Sequence, residues 1–136
     1  MALKTYKGSC HCGAITYETD IDLAEGTSKC NCTYCRKARS WKASATPEHF
    51  RLRTGEDALV GYRTNEHVMM KYHCKTCGMR THEHGTPEWL GGKELYGVYL
   101  CTIDNMDEDA LANAPVKIND GLHNNWMKTP GETRNL

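Results

Sequence analysis

Cys10-His11-Cys12-Gly13 and, much later, Cys74-Lys75-Thr76-Cys77-Gly78 are the stretches that decide how this chain folds. Each places two thiols on one tight turn. Each is followed by a glycine, which allows the backbone bend that aims both sulfurs at one point. Four thiolates converging from two turns make a structural, tetrahedral zinc site. A rubredoxin-like iron site is the alternative, because sequence does not separate the two metals cleanly. The gap between the clusters is long, so the ion would tie the first strand to the middle of a sheet.

Between these pairs lies a third cluster, Cys30-Asn31-Cys32-Thr33-Tyr34-Cys35. Seven of the eight cysteines thus fall in three groups, and Cys101 stands alone. Three thiols plus one exchangeable position is the arrangement of a catalytic zinc. Such an ion binds a thiol, holds it as thiolate, and polarises a carbonyl oxygen. The other reading is a closed site, with Cys101, His73, His82 or His84 as fourth ligand. An open three-thiolate site also loses its metal and oxidises readily, so two ions are expected with the occupancy of the second left open.

The bulk composition agrees with metal staples. The chain has 136 residues, enough for one domain spanning 1–136, but only 39% are hydrophobic and there is one phenylalanine. A lean core gains from a bound ion. Formal net charge is zero, with 17 basic and 17 acidic residues. That balance speaks against nucleic acid as a partner. No apolar run approaches the roughly 20 residues needed to cross a bilayer. The first residues lack the apolar core of a secretion signal. The expected compartment is the cytoplasm, where disulfides are rare. Oligomeric state is not legible.

The patterning is mainly β. Ala14–Thr19, Phe50–Thr54, Ala58–Arg63, His67–His73 and Glu94–Leu100 read as strands. Thr64-Asn65-Glu66 would link the third and fourth of these as a hairpin. Short helices are expected at Thr33–Ala38 and Glu108–Asn113. Residues 115–136 read as an irregular tail that packs on the body through Trp126, Met127 and Leu136.

Taken together, Gly8-Ser-Cys-His-Cys-Gly-Ala14, Cys30-Asn-Cys-Thr-Tyr-Cys-Arg-Lys37 and Cys74-x-x-Cys-Gly78 resemble the glutathione-dependent formaldehyde-activating enzyme family, which includes the centromere protein V domain. The tail Asp120-Gly-Leu-His-Asn-Asn-Trp126, with Pro130-Gly-Glu-Thr-Arg134, resembles the family's closing segment. The resemblance implies an Mss4-like fold of coiled antiparallel sheets. It implies a structural zinc on Cys10, Cys12, Cys74 and Cys77, and a catalytic zinc on Cys30, Cys32 and Cys35. It also implies a carbon–sulfur lyase activity of the S-(hydroxymethyl)glutathione synthase type, joining formaldehyde or a related aldehyde to glutathione.

The partners expected are therefore a small thiol and an aldehyde, with no membrane. Arg36 and Lys37 are the nearest cations for the carboxylates of glutathione. Trp126 is a candidate wall of the same pocket, as is Trp41. His82, His84 and His123 are candidate proton donors to the developing alkoxide. His11 is expected to point outward. The segment Met79-Arg-Thr-His-Glu-His-Gly85 departs from the family pattern. Its histidines read as exposed turn residues, with metal ligation the alternative. The competing functional classes are a non-catalytic zinc module for a thiol, protein or nucleic-acid partner, a thiol carrier, and an enzyme acting on a different aldehyde or thiol.

Overall fold

The computed structural model describes residues 2–63 and 68–136. The expected Thr64-Asn65-Glu66 link and His67 lie outside the described residues. The described residues form ten strands and two short α-helices in the order β1 (Lys4–Ser9), β2 (Thr16–Ile21), β3 (Thr27–Cys30), α1 (Thr33–Ala38), β4 (Trp41–Ala45), β5 (Phe50–Thr54), β6 (Leu59–Tyr62), β7 (Met70–Cys74), β8 (Arg80–Gly85), β9 (Leu95–Tyr99), α2 (Glu108–Asn113) and β10 (Val116–Asn119). This is the mainly β fold with two short helices that the sequence predicts.

A three-stranded sheet has the order β1-β2-β5, and a seven-stranded sheet the order β10-β3-β4-β9-β8-β7-β6. Neighbours are antiparallel except for β10, which runs parallel to β3. The stretch expected to be wholly irregular after residue 115 therefore opens with a strand. Val116-Lys117-Ile118-Asn119 alternates apolar and polar residues, but over four positions only, and its long-range pairing with β3 decides it.

β2 shows why the sheets stack. Its alternation buries Tyr17, Thr19 and Ile21 on one face. Tyr17 stacks on Phe50 of β5, with ring centroids 5.4 Å apart. Phe50 in turn meets Tyr96 at 4.5 Å and His82 at 4.7 Å. The core thus joins Tyr6, Tyr17, Ile21 and Phe50 from the small sheet to Ala43, Ala45 and Val98 from the large one. Each large side chain so buried contributes about 1.5–3 kcal/mol.

The register fixes what the other face of the large sheet carries. Residues paired across strands share a face. Lys29 pairs Trp41, Ala43 pairs Val98 and His82 pairs Val98, so Trp41 and His82 belong to the core face. Ser28 pairs Lys42, Lys42 pairs Tyr99, Gly97 pairs Glu83 and Glu83 pairs Lys71. Cys30, two residues along from Ser28, lies on this second face with them. One side of the sheet is a hydrophobic core, and the other is a polar surface on which α1 sits.

Candidate metal centres and the polar face

Cys10, Cys12, Cys74 and Cys77 bring their sulfurs within 4.8 Å of one another. Cys10 and Cys12 are 3.7 Å apart and Cys12 and Cys74 are 3.6 Å apart, sulfur to sulfur. A tetrahedron with metal–sulfur bonds of about 2.3 Å has edges of about 3.8 Å. The donor set therefore fits one ion. Gly13 and Gly78 have φ of 83° and 76°, the left-handed turns that let each pair converge. Backbone N–H groups aim at the sulfurs: Ile15 donates to Cys10 at 3.3 Å and Thr76 to Cys74 at 3.4 Å. N–H donation from Cys12 and Met79 lowers the Cys77 thiol to about 6. The Ala14 N–H lowers Cys12, but Cys74 and the other crowded sulfurs outweigh it and push that thiol up to about 11. Four thiols in this space ionise together only around a cation. The cluster packs on Ile15 and Ala58, where it ties the β1–β2 turn to the β7–β8 turn.

Cys30, Cys32 and Cys35 form the second cluster, also within 4.8 Å and all buried. Local structure builds it. Cys30 ends β3, and its sulfur accepts from the Cys32 N–H at 3.3 Å. Cys32 caps α1, its sulfur accepting from the Cys35 N–H at 3.3 Å. A cysteine thus does the capping work usually given to Ser or Asp. Neighbouring Cys30 and Cys32, together with burial, push the Cys35 thiol far up, while Lys42 opposes them. Three buried thiols held this way fit a soft metal ion. Among the described residues no His, Cys, Asp or Glu joins the three as a fourth ligand.

The candidates for that position lie elsewhere. Cys101 is exposed on the turn Leu100–Thr102. His82 is buried on the core face, bonded to Thr81 Oγ1 at 2.9 Å. His84 pairs with Glu94 at 2.9 Å and stacks on Tyr96 at 4.4 Å. These two histidines belong to a central strand, not to the turn that their sequence suggests. His11 is exposed between Cys10 and Cys12, as expected.

The tail reaches the second cluster through Asn31, which lies between two of the cysteines. Asn31 Nδ2 donates to Asp120 Oδ1 at 2.9 Å, and the Leu122 N–H donates to Asn31 Oδ1 at 3.0 Å. Asp120 also holds His123 Nδ1 at 2.9 Å. Gly121 is wedged between Cys30 and Trp126: a Cβ there would stand 2.7 Å from the Cys30 sulfur and 2.6 Å from the Trp126 ring. Trp126 thus borders the Cys30 side, although its ring is 41% exposed and Met127 beyond it is more so. Asn119 pairs Cys30 and shares its face. Its side-chain oxygen is buried and has no hydrogen-bond partner among the described residues.

On the other side of α1 is an open groove of about 420 Å³, lined by Thr33, Tyr34, Lys37, Ala38, Tyr62 and Arg80. Lys37 is exposed there and Arg36 is half-buried in the same last turn. Trp41 is not in this region. It donates to Thr27 Oγ1 at 2.8 Å and packs on the core.

Beneath α1 the polar face holds a network that sequence reading missed. Glu83 is 2% exposed and Lys71 is 5% exposed. Lys42 Nζ donates to Glu83 Oε1 at 2.5 Å, the Tyr99 hydroxyl donates to Glu83 Oε2 at 3.0 Å, and Lys71 Nζ lies 3.9 Å away. Burial opposes the Glu83 charge, but Lys42 outweighs it and the carboxyl is lowered. Burial likewise opposes Lys42, but Glu83, Cys35 and Cys30 raise it. The pair is therefore ionised. A Cβ on Gly97 would stand 2.7 Å from Glu83 Cγ, so glycine makes room for that side chain. Arg80 donates to Ser40 Oγ at 3.0 Å and to the Ala38 carbonyl, and lies over the Tyr99 ring at 4.7 Å.

The family described as glutathione-dependent formaldehyde-activating enzyme matches residues 5–118. The chain belongs to this family. It is also similar to the crystal structure of a Rhodobacter sphaeroides protein, at 27% identity and a TM-score of 0.67, over 82% of this chain and 99% of that one. Family membership and the two thiol clusters agree: this is a formaldehyde-activating-enzyme-type protein with two sites able to bind metal ions, in keeping with zinc. Among the described residues no helix is long and apolar enough to cross a membrane.

Proposed function

We propose that the protein joins formaldehyde, or a related small aldehyde, to glutathione at the three-cysteine centre, as a carbon–sulfur lyase of the S-(hydroxymethyl)glutathione synthase type. One observation carries this reading. Three buried thiols converge with no fourth described protein ligand, in a chain of this family. Cys10, Cys12, Cys74 and Cys77 would hold a structural zinc, and Cys30, Cys32 and Cys35 a second one. When bound at the three cysteines, zinc would supply a Lewis-acidic position that keeps a sulfur as thiolate near neutral pH.

The remaining work falls to the chain. The substrate sulfur attacks the aldehyde carbon, a C–S bond forms, and the C=O π pair moves to oxygen. The proton given up by the thiol is returned to that oxygen, so the reaction balances without a further reagent. Lys37, which lines the groove along α1, and Arg36 in the same helical turn are the cations for the glutathione carboxylates. Trp126 and Gly121 shape the Cys30 side. Asn119 supplies a buried acceptor for a substrate hydrogen on the same face. The buried surroundings exclude water from the nucleophile.

The test mixes zinc-loaded protein with glutathione and formaldehyde and follows adduct formation against the uncatalysed rate. Acceleration that disappears in Cys32→Ser supports the proposal. Thiol binding without acceleration would leave a carrier, and an uncatalysed rate in a fully loaded sample would end the enzymatic reading.

A further inference from the structure

The Lys42–Glu83 pair is the feature of the polar face that the proposed reaction leaves unused. It is costly to build. Glu83 is 3% and Lys42 26% exposed at the side chain, so the pair gains its Coulomb energy only after losing most of its water, and an apolar pair of equal size is often as stable. Here the sheet goes further. Gly97 gives up its side chain so that Glu83 can lie flat, and Tyr99 donates a second hydrogen bond to fix the carboxylate. Glu83 is thus held on both oxygens, and it holds Lys42 in one place.

That place is on the sheet face that carries Cys30. Ser28 pairs Lys42, and Cys30 lies two residues further along the same strand on the same side. After Glu83, the nearby Cys35 and Cys30 thiols favour the charged form of Lys42, and Lys42 in turn favours ionisation of Cys35. Of the other cations on this face, Lys117 is exposed on β10 and Lys71 lies 3.9 Å from Glu83 on the side away from Lys42's oxygen. Lys71 lies over the Tyr34 ring at 5.0 Å, and Arg80 binds Ser40 and Ala38. Three thiolates around a divalent ion carry one net negative charge, and a fourth thiolate would make it two. In a buried site that charge needs a partner.

We propose that Lys42, clamped by Glu83, is the built-in counter-charge of the three-cysteine centre: a positioning residue that keeps its charge throughout and raises the affinity of the three thiolates for a divalent ion. This rests on the three cysteines being a metal centre, not on which thiol or aldehyde it serves.

The experiment loads the four-cysteine site with zinc and titrates Co²⁺ into the three-cysteine site, reading the thiolate-to-cobalt absorption. Lys42→Met leaves the buried carboxylate with only Tyr99 and the more distant Lys71, and can fail to fold. The working variant is therefore the double change Lys42→Met with Glu83→Gln, which removes both charges together. Lys42→Arg keeps the charge. The expected result is a Co²⁺ affinity at least tenfold weaker in the double variant, within the range seen when groups behind metal ligands are removed. Lys42→Arg should stay within about threefold of the wild type on the same principle. A folded double variant that binds Co²⁺ as tightly as the wild type would overturn the inference. So would a Lys42→Arg protein as weak as the double variant. Wild-type protein that takes up no second ion would sink the metal-centre reading itself. Absent rate acceleration with intact Co²⁺ binding would sink only the reaction.

Discussion

Gly121→Ala is the smallest change that should disturb the three-cysteine cluster and spare the four-cysteine one. The new methyl group would stand 2.7 Å from the Cys30 sulfur and 2.6 Å from the Trp126 ring. Normal van der Waals separations are about 3.5–4.0 Å, so something must move by about 1 Å. Metal–sulfur distances tolerate only about 0.2 Å. If Cys30 yields, the three-sulfur geometry is spoiled. If the tail yields, the bonds from Asn31 to Asp120 and Leu122 stretch, and these hold the loop between Cys30 and Cys32. Overpacking of this kind costs about 1–3 kcal/mol. The four-cysteine site lies in a separate cluster and shares no residue with this one. Chelator competition should therefore show one ion held as in the wild type and the other weakened tenfold or more. Circular dichroism should remain native, with the melting temperature lowered by a few degrees. A variant that keeps both ions at wild-type affinity would refute the claim that the tail abuts the second centre.

Cys74→Ser should abolish folding, because a structural zinc contributes on the order of 10 kcal/mol and a domain's whole stability is about 5–15 kcal/mol. Cys32→Ser should instead lose one ion and retain the sheet signal; thermal melts with metal analysis distinguish them. His82→Phe should flatten the acid limb of stability. Burial lowers the His82 pKa from 6.5 to about 4, so between those values the unfolded chain binds the extra proton and stability falls as pH drops. The wild-type loss across that window is on the order of 3 kcal/mol. Urea unfolding from pH 7 to pH 4 checks it, and an unchanged pH slope in the variant would contradict it.

The cysteine spacing made both clusters legible, because ligand pairs on tight turns impose local geometry whatever the rest of the fold does. Helices α1 and α2 were readable to the residue, and β5 likewise. What escaped was β8. Arg80-Thr-His-Glu-His-Gly85 has no apolar alternation, so it read as a turn. It is a strand because Glu83 faces the polar network while His82 faces Phe50. Burial of Glu83 depends on Lys42 and Tyr99, which come from β4 and β9, and no local pattern announces such a partnership. β1, β3, β4 and β10 also went unread. β3 and β10 are four residues each, too short for a period to show, and they find their register through each other. The tail's contact with the thiols was hidden for a related reason: Gly121 matters by having no side chain.

Cobalt X-ray absorption at the three-cysteine centre, with zinc in the other site, tests the central claim most directly. Without glutathione, the account predicts three sulfurs and one lighter ligand around the ion. With glutathione added, it predicts four sulfurs. Four protein ligands in the absence of glutathione, or a first shell that glutathione leaves unchanged, would contradict it.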